Sequence, residues 1–388
     1  MDLQQPPTRM QPLQTNGRQQ LFGRRFLRGE ALQRLYGFFV RRQAYISFEA
    51  DRIRTHFVID PFLNPEASKA LLQRQSDDAV ASFLTAAAQH DLPKEVAEET
   101  DQVARQRAEE AWALYQTQLR QDVTQLKTGF ASALHHIEQA CIQTLQLFCA
   151  WHRMAQHACL DESVCLAASH LSSSPLLNAL QNASVSKLGG APWSGCNELA
   201  KTIYRQHIER NETLAAHLQA LSESVREKDE ALWTYLCDRI VMRNTSIEAF
   251  FSRADVYWRA HKPIVRRVLH VYLRQLLNDP KALRWDLCRL SDWQAEQNFY
   301  ERLIDQTLEK EAILEACIAK HSAHWSMDRI VLLDKTLLKL GMCELLYFSE
   351  IPNKISIDEY VTLAKLYGSA KSAPFVNGLL DAVMNDAP

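Results

Sequence analysis

Between residues 325 and 383 three stretches of helical period follow one another, each with its own stop, and no other part of the chain limits the fold as tightly. The first reads as a helix from about Asp328 to Phe348 and ends before Ile351 and Pro352. Proline has no N–H to donate and pushes the residue before it out of the helical region. The second opens at Ser356 with Glu359 three residues on, a capping box, and closes at Gly368. The third begins near Ser372 and tolerates Pro374 in its first turn.

Each stretch has a side to bury. On the third, Val376, Leu379, Leu380 and Val383 make one apolar stripe. Phe375 lies a quarter-turn off it, at the edge of the core with a ring face available, and Gly378 points the other way. On the first, Ile330, Leu333, Leu337, Gly341, Leu345 and Phe348 share an arc, while Lys335 and Lys339 project from the far side. Glu344 falls inside that arc, where a carboxylate must find hydrogen-bond donors or stay protonated. No titratable partner is spaced for chemistry, so a structural carboxylate is expected rather than a catalytic one.

Near the other end, residues 21–48 carry Arg24, Arg25, Arg28, Arg34, Arg41 and Arg42 against a single acid, Glu30. Read as a helix, Ala31, Leu35, Phe38 and Phe39 form its core face, and Arg24 and Arg28 continue the same line. Arginines on a core line predict that the helix projects beyond its bundle and exposes them beside its free N–H groups, an arrangement that suits phosphate. Arg25 and Tyr36 share one flank, a pairing that stacks on unpaired bases. A solvated basic helix end without a ligand fits the same residues. Gly29 weakens such a helix by about 1 kcal/mol relative to alanine.

The run D-R-I-x3-D-K-x2-L-x5-E-L, then I-P-x-x-I-S-I-x-E-x-V-x-L-A-K, then S-x-x-F-V-N-G-x-L-D resembles the C-terminal signature of the NusB family of bacterial antitermination factors. R-R-x-x-R-x-x-A-L-Q-x-L-Y, through Arg24, Arg25, Arg28, Ala31, Leu32, Gln33, Leu35 and Tyr36, is similar to that family's arginine-rich opening. The layout resembles the longer type of the family, as in Bacteroidetes, with residues 50–125 extra even for that type. The resemblance implies an all-α, NusB-like helical bundle with large helical insertions. It also implies a heterodimer with NusE, the small-subunit ribosomal protein that doubles as a Nus factor, gripping boxA RNA in ribosomal RNA leaders and acting on RNA polymerase indirectly. Carried over by motif position, the RNA-facing residues are Arg24, Arg25, Arg28, Tyr36, Lys371 and Phe375, with Lys335 and Lys339 nearby and Asp334 facing RNA or partner.

Length and composition are consistent with this. The 388 residues allow two or three domains or one domain with large insertions, and scarce Gly with 47% apolar residues favours helices with ample core. A net charge of −2 means that any nucleic-acid site must come from local clustering. Nine scattered cysteines without a C-x-x-C pair, no signal peptide and no long apolar run suggest reduced thiols, a cytoplasmic location and no membrane.

The expected organisation is a tail over 1–20, the Arg-rich helix over 21–48, a helical insertion over 49–166 with a break at His90-Asp91-Leu92-Pro93, a linker over 167–197, a helical region over 198–290, and the C-terminal bundle over 291–388. Cys149, His152, His157, Cys159 and Cys165 cluster, but their spacing is not that of a zinc finger, and no metal is expected. An offset of 67 aligns Leu232 with Phe299, Trp233 with Tyr300, Leu236 with Leu303, Val241 with Leu308, Ile247 with Leu314, Phe251 with Ile318 and Trp258 with Trp325, a pattern given by a repeated helix pair or by unrelated amphipathic helices of similar length. Phosphate loops, G-x-S-x-G and H-E-x-x-H are absent, so neither an enzyme nor a cofactor is expected. The alternative reading is a protein-interaction scaffold that keeps a NusB-like core without RNA binding.

Overall fold

The computed structural model describes residues 22–58, 69–89, 101–158, 166–182, 196–221, 224–279, 293–322 and 329–386. The expected tail, the break at His90–Pro93, residues 183–195 of the linker, Cys159, Cys165 and Trp325 lie outside them; the earlier part of the linker, through residue 182, is helical rather than a loose connector. Among the described residues the secondary structure is helical, with no strand. The chain divides into two compact units, one of Met1–Leu27 with Ala131–Asn298, the other of Arg28–Phe130 with Phe299–Pro388.

The second unit starts inside α1 (Arg24–His56) and continues through α2 (Lys69–Gln89) and α3 (Gln102–Lys127). Asp101 caps α3, its side chain accepting from the Val103 N–H at 2.8 Å. The α2–α3 hairpin closes on the distal half of α1. Ile53 and Phe57 are buried there with Phe83, Ala104, Ala108, Trp112 and Tyr115. The hairpin and the distal half of α1 thus have an apolar cluster of their own.

The first unit contains most of α4 (Gly129–Ala158), then α5 (Leu166–Ser173), α6 (Pro175–Asn182), α7 (Cys196–Ile203), α8 (Glu212–Gln219), α9 (Val225–Tyr235), α10 (Thr245–Ala254) and α11 (Trp258–Asn278). Wider π turns extend α7 through Tyr204–Ile208 and α9 through Leu236–Val241. Aromatic rings hold this core: Phe148 meets Trp233 edge-on at 5.1 Å, and Phe251 stacks on Trp258 at 4.4 Å. His152, from the Cys/His cluster, is fully buried with Nδ1 2.7 Å from the Leu171 carbonyl, and burial pushes the Cys149 thiol up to about 11. A thiol held neutral beside a satisfied imidazole is core material.

The second unit resumes within α12 (Trp293–Glu309), which meets α13 (Glu311–His321) at Lys310, and goes on to α14 (Leu332–Tyr347), α15 (Asn353–Tyr367) and α16 (Ser372–Asp386). The three C-terminal helices exist as expected, but two of their starts differ. Val331 is extended at ψ 139°, so α14 begins there and not near 328. Pro352 takes the N-cap position of α15, and the Ile355 N–H bonds its carbonyl at 2.8 Å. Ser356 is therefore no cap; it lies buried in the first turn.

The single arc expected on α14 is also too narrow. From Thr336 to Glu344 every residue is buried, because α13, α15 and α16 all contact this helix. Gly341 makes the closest approach possible: a Cβ there would stand 2.9 Å from Leu380 and 3.3 Å from Tyr360. The far side, from which Lys339 was expected to project, is interior.

Candidate functional site

Arg28 was expected at an exposed tip, yet it is 2% exposed. Its Nε and Nη2 donate to Glu344 at 2.8 and 2.6 Å, a two-pronged pair, and its guanidinium lies 5.6 Å from the Phe299 ring centre. Glu344 accepts further from the Ser356 hydroxyl and, at 3.1 Å, from the Tyr360 hydroxyl. Burial, then the neighbouring Glu344 charge, pushes the Tyr360 phenol well up, so it stays a donor. The misplaced carboxylate of α14 is thus the hub of a satisfied buried network. An arginine on a core line can be packed when a carboxylate on the facing helix receives it, which corrects the expected role of Arg28.

Lys339 is corrected for the same reason. Only 3% exposed, it donates to Glu311 at 2.5 Å and Glu315 at 2.6 Å and stands 4.3 Å over the Phe39 ring. Arg42 closes on Glu311 with two bonds of 2.7 Å. Burial alone would raise the Glu311 carboxyl, but the Arg42 bond and charge, followed by Lys339, hold it down at about 2. These cations are occupied inside the bundle.

Asp334 is buried, and its carboxyl is bonded to Ser372, at the start of α16. Burial pushes it up against the opposing Ser372 bond. A side chain tying two helices together offers little to a partner.

Among the accessible places in this unit are a flank of α1 and the end of α15. Gln33 Nε2 donates to the Tyr367 hydroxyl at 2.7 Å, and a Cβ at Gly29 would meet Leu363 and Tyr367 at 3.8 Å. Tyr36 follows Gly29 and Gln33 at helical spacing and is 39% exposed; Tyr367 is 40% exposed and Leu366 is more open still. Just beyond, the chain turns through Gly368 into exposed Lys371 and half-buried Phe375. Lys335 is half-buried on α14. Tyr36, Tyr367, Lys371 and Phe375 thus supply ring faces and charge on or next to adjoining helices. Arg24 and Arg25 are exposed on the first turn of α1 and belong to the other unit.

Tyr367 was missed by sequence reasoning. Its only signal was a tyrosine directly before the glycine that ends a helix. Pairing with α1 depends on how distant helices meet.

An all-α bundle with an aromatic and basic outer flank is the class of protein these observations define. Residues 286–385 match the NusB family. Relatives named transcription antitermination protein NusB include that of Bacillus pumilus, 38% identical over 108 residues, 28% of this chain and 80% of the relative. That of Salinibacter ruber is 39% identical over 90 residues, 23% of this chain and 56% of the relative. That of Chloroherpeton thalassium is 36% identical over 90 residues, again 23% of this chain and 43% of the relative. The chain belongs to the NusB family. It spans about half the length of the last two relatives. No solved structure matches it.

Proposed function

We propose that this chain is a transcription antitermination factor that binds boxA-type single-stranded RNA of ribosomal RNA leaders together with NusE. The observation that carries the reading is that the stretch matching the NusB family, 286–385, contains Tyr367, Lys371 and Phe375, and that Tyr367 meets Gln33 on α1, the helix that also carries Tyr36. In this reading Tyr36, Tyr367 and Phe375 stack unpaired bases, Lys371, Lys335, Arg24 and Arg25 neutralise phosphates, and no bond is made or broken. Arg28 and Lys339 hold the bundle that presents them.

A salt series with short single-stranded RNA, with and without NusE, tests this. Affinity is expected to fall steeply with salt, and Lys371→Ala to weaken binding and flatten the salt slope by about 0.7, as for one phosphate contact to a single strand. Tyr36→Ala should cost about 1–3 kcal/mol for a lost stacked base. RNA affinity that ignores all these changes would sink the reading. The burial of Arg28 and Lys339 favours the second reading, a NusB-like scaffold for protein partners. There, NusE capture survives while no RNA affinity exists to lose.

A further inference from the structure

The inserted hairpin contains an open pocket of about 320 Å³ lined by Arg52, Ile53, Thr55 and His56 from the last turns of α1 and by Arg107 from α3. The apolar cluster beneath fixes this geometry. Ile53 and Phe57 point inward with Ala104 and Ala108, so Arg52 and His56 on α1 and Arg107 on α3 flank the same seam. The His56 ring also rests edge-on against Phe57 at 5.3 Å.

The donors are only partly used. Arg52 Nε donates to Glu49 at 2.7 Å, and Arg107 Nη1 to Glu110 at 2.8 Å. Arg107 Nε is buried with no hydrogen-bond partner. A buried donor left unmade costs about 1–3 kcal/mol, and such a group commonly marks the place of a bound ion or water.

We infer that Arg52, His56 and Arg107 form a binding site for a phosphate-type oxyanion, separate from the tyrosine-bearing flank of the bundle. Glu49 and Glu110 each neutralise one arginine, so the pocket carries no net charge while His56 is neutral. A tetrahedral dianion fills the unmet valence at Arg107 Nε, accepts from the outer arginine nitrogens, and draws a proton onto His56. Burial, then the Arg107 charge, holds the His56 imidazole below its ordinary value, with Arg52 adding to this and Glu110 opposing it. An anion between the arginines reverses that balance. Occupancy is therefore greatest on the acid side of neutrality. The ligand is the phosphate monoester of a small phosphorylated molecule, which reaches the dianion near neutral pH; the phosphodiester of an RNA backbone offers similar oxygens but only one negative charge.

The test follows the His56 ring by NMR through a pH titration of the full chain, with sulfate as probe because it stays a dianion throughout. At matched ionic strength, sulfate in place of chloride is expected to raise the His56 pKa by about one unit or more. Arg107→Gln should abolish that rise, and Arg107→Lys, which keeps the charge but lacks Nε, should reduce it. Helix content by circular dichroism verifies that both variants are folded. If sulfate leaves His56 unmoved, or moves it equally in both variants, the site does not exist. With the site established, a nucleoside monophosphate and a short RNA compete against sulfate, and the one that displaces it at lower concentration names the source.

Discussion

At the scale of single residues, the Arg28–Glu344 pair behaves unlike a surface ion pair. Both partners are desolvated, and the carboxylate is shared with Ser356 and Tyr360. Removing one charge leaves the other stranded, so Arg28→Met is expected to cost about 3–5 kcal/mol in urea unfolding. Arg28→Met with Glu344→Gln should recover part of that loss, since no lone charge remains buried. Gly29 gives the opposite sign. Its Cβ would touch Leu363 and Tyr367 only at ordinary contact distance, so Gly29→Ala should add about 1 kcal/mol by helix propensity. A lower midpoint would show that the contact with α15 needs the bare backbone. Glu344 was legible in the sequence as a carboxylate needing donors. That the donor is Arg28 was not, because 316 residues separate them and only packing brings them together.

At the scale of elements, α14 is the post around which α13, α15 and α16 are set. Gly341 lets α15 and α16 come close on one side. Gly341→Val should therefore force the helices apart and cost about 1–3 kcal/mol as overpacking, visible as a lower unfolding midpoint with an unchanged urea slope. The existence and order of these helices could be read from proline, glycine and apolar spacing. Their starts could not be read as well. A serine followed by glutamate three residues later looks like a cap, but the chain had already entered the helix at Pro352, leaving Ser356 for Glu344. The stripe rule failed on α14 because it assumes one wet face.

At the scale of the whole molecule, acid should unfold the chain partly through Glu311. Its carboxyl is held at about 2 in the folded state against an ordinary 4.5. A depressed pKa stabilises the fold fully above the ordinary value, and that stabilisation drains away as pH falls from about 4.5 towards 2. Glu311→Gln should lower stability at neutral pH and flatten the pH dependence across that window, as measured by urea midpoints at successive pH values. Apolar periodicity, turn residues and one dense C-terminal motif were enough to specify an all-α NusB relative carrying an extra helical block, because those signals are local and each residue's neighbours along the chain decide them. Which charges reach water was decided only by tertiary structure. A lysine or arginine is exposed or buried according to what the facing helix offers it, and Glu311 and Glu344 took Lys339 and Arg28 inside while the tyrosine flank was left to the surface.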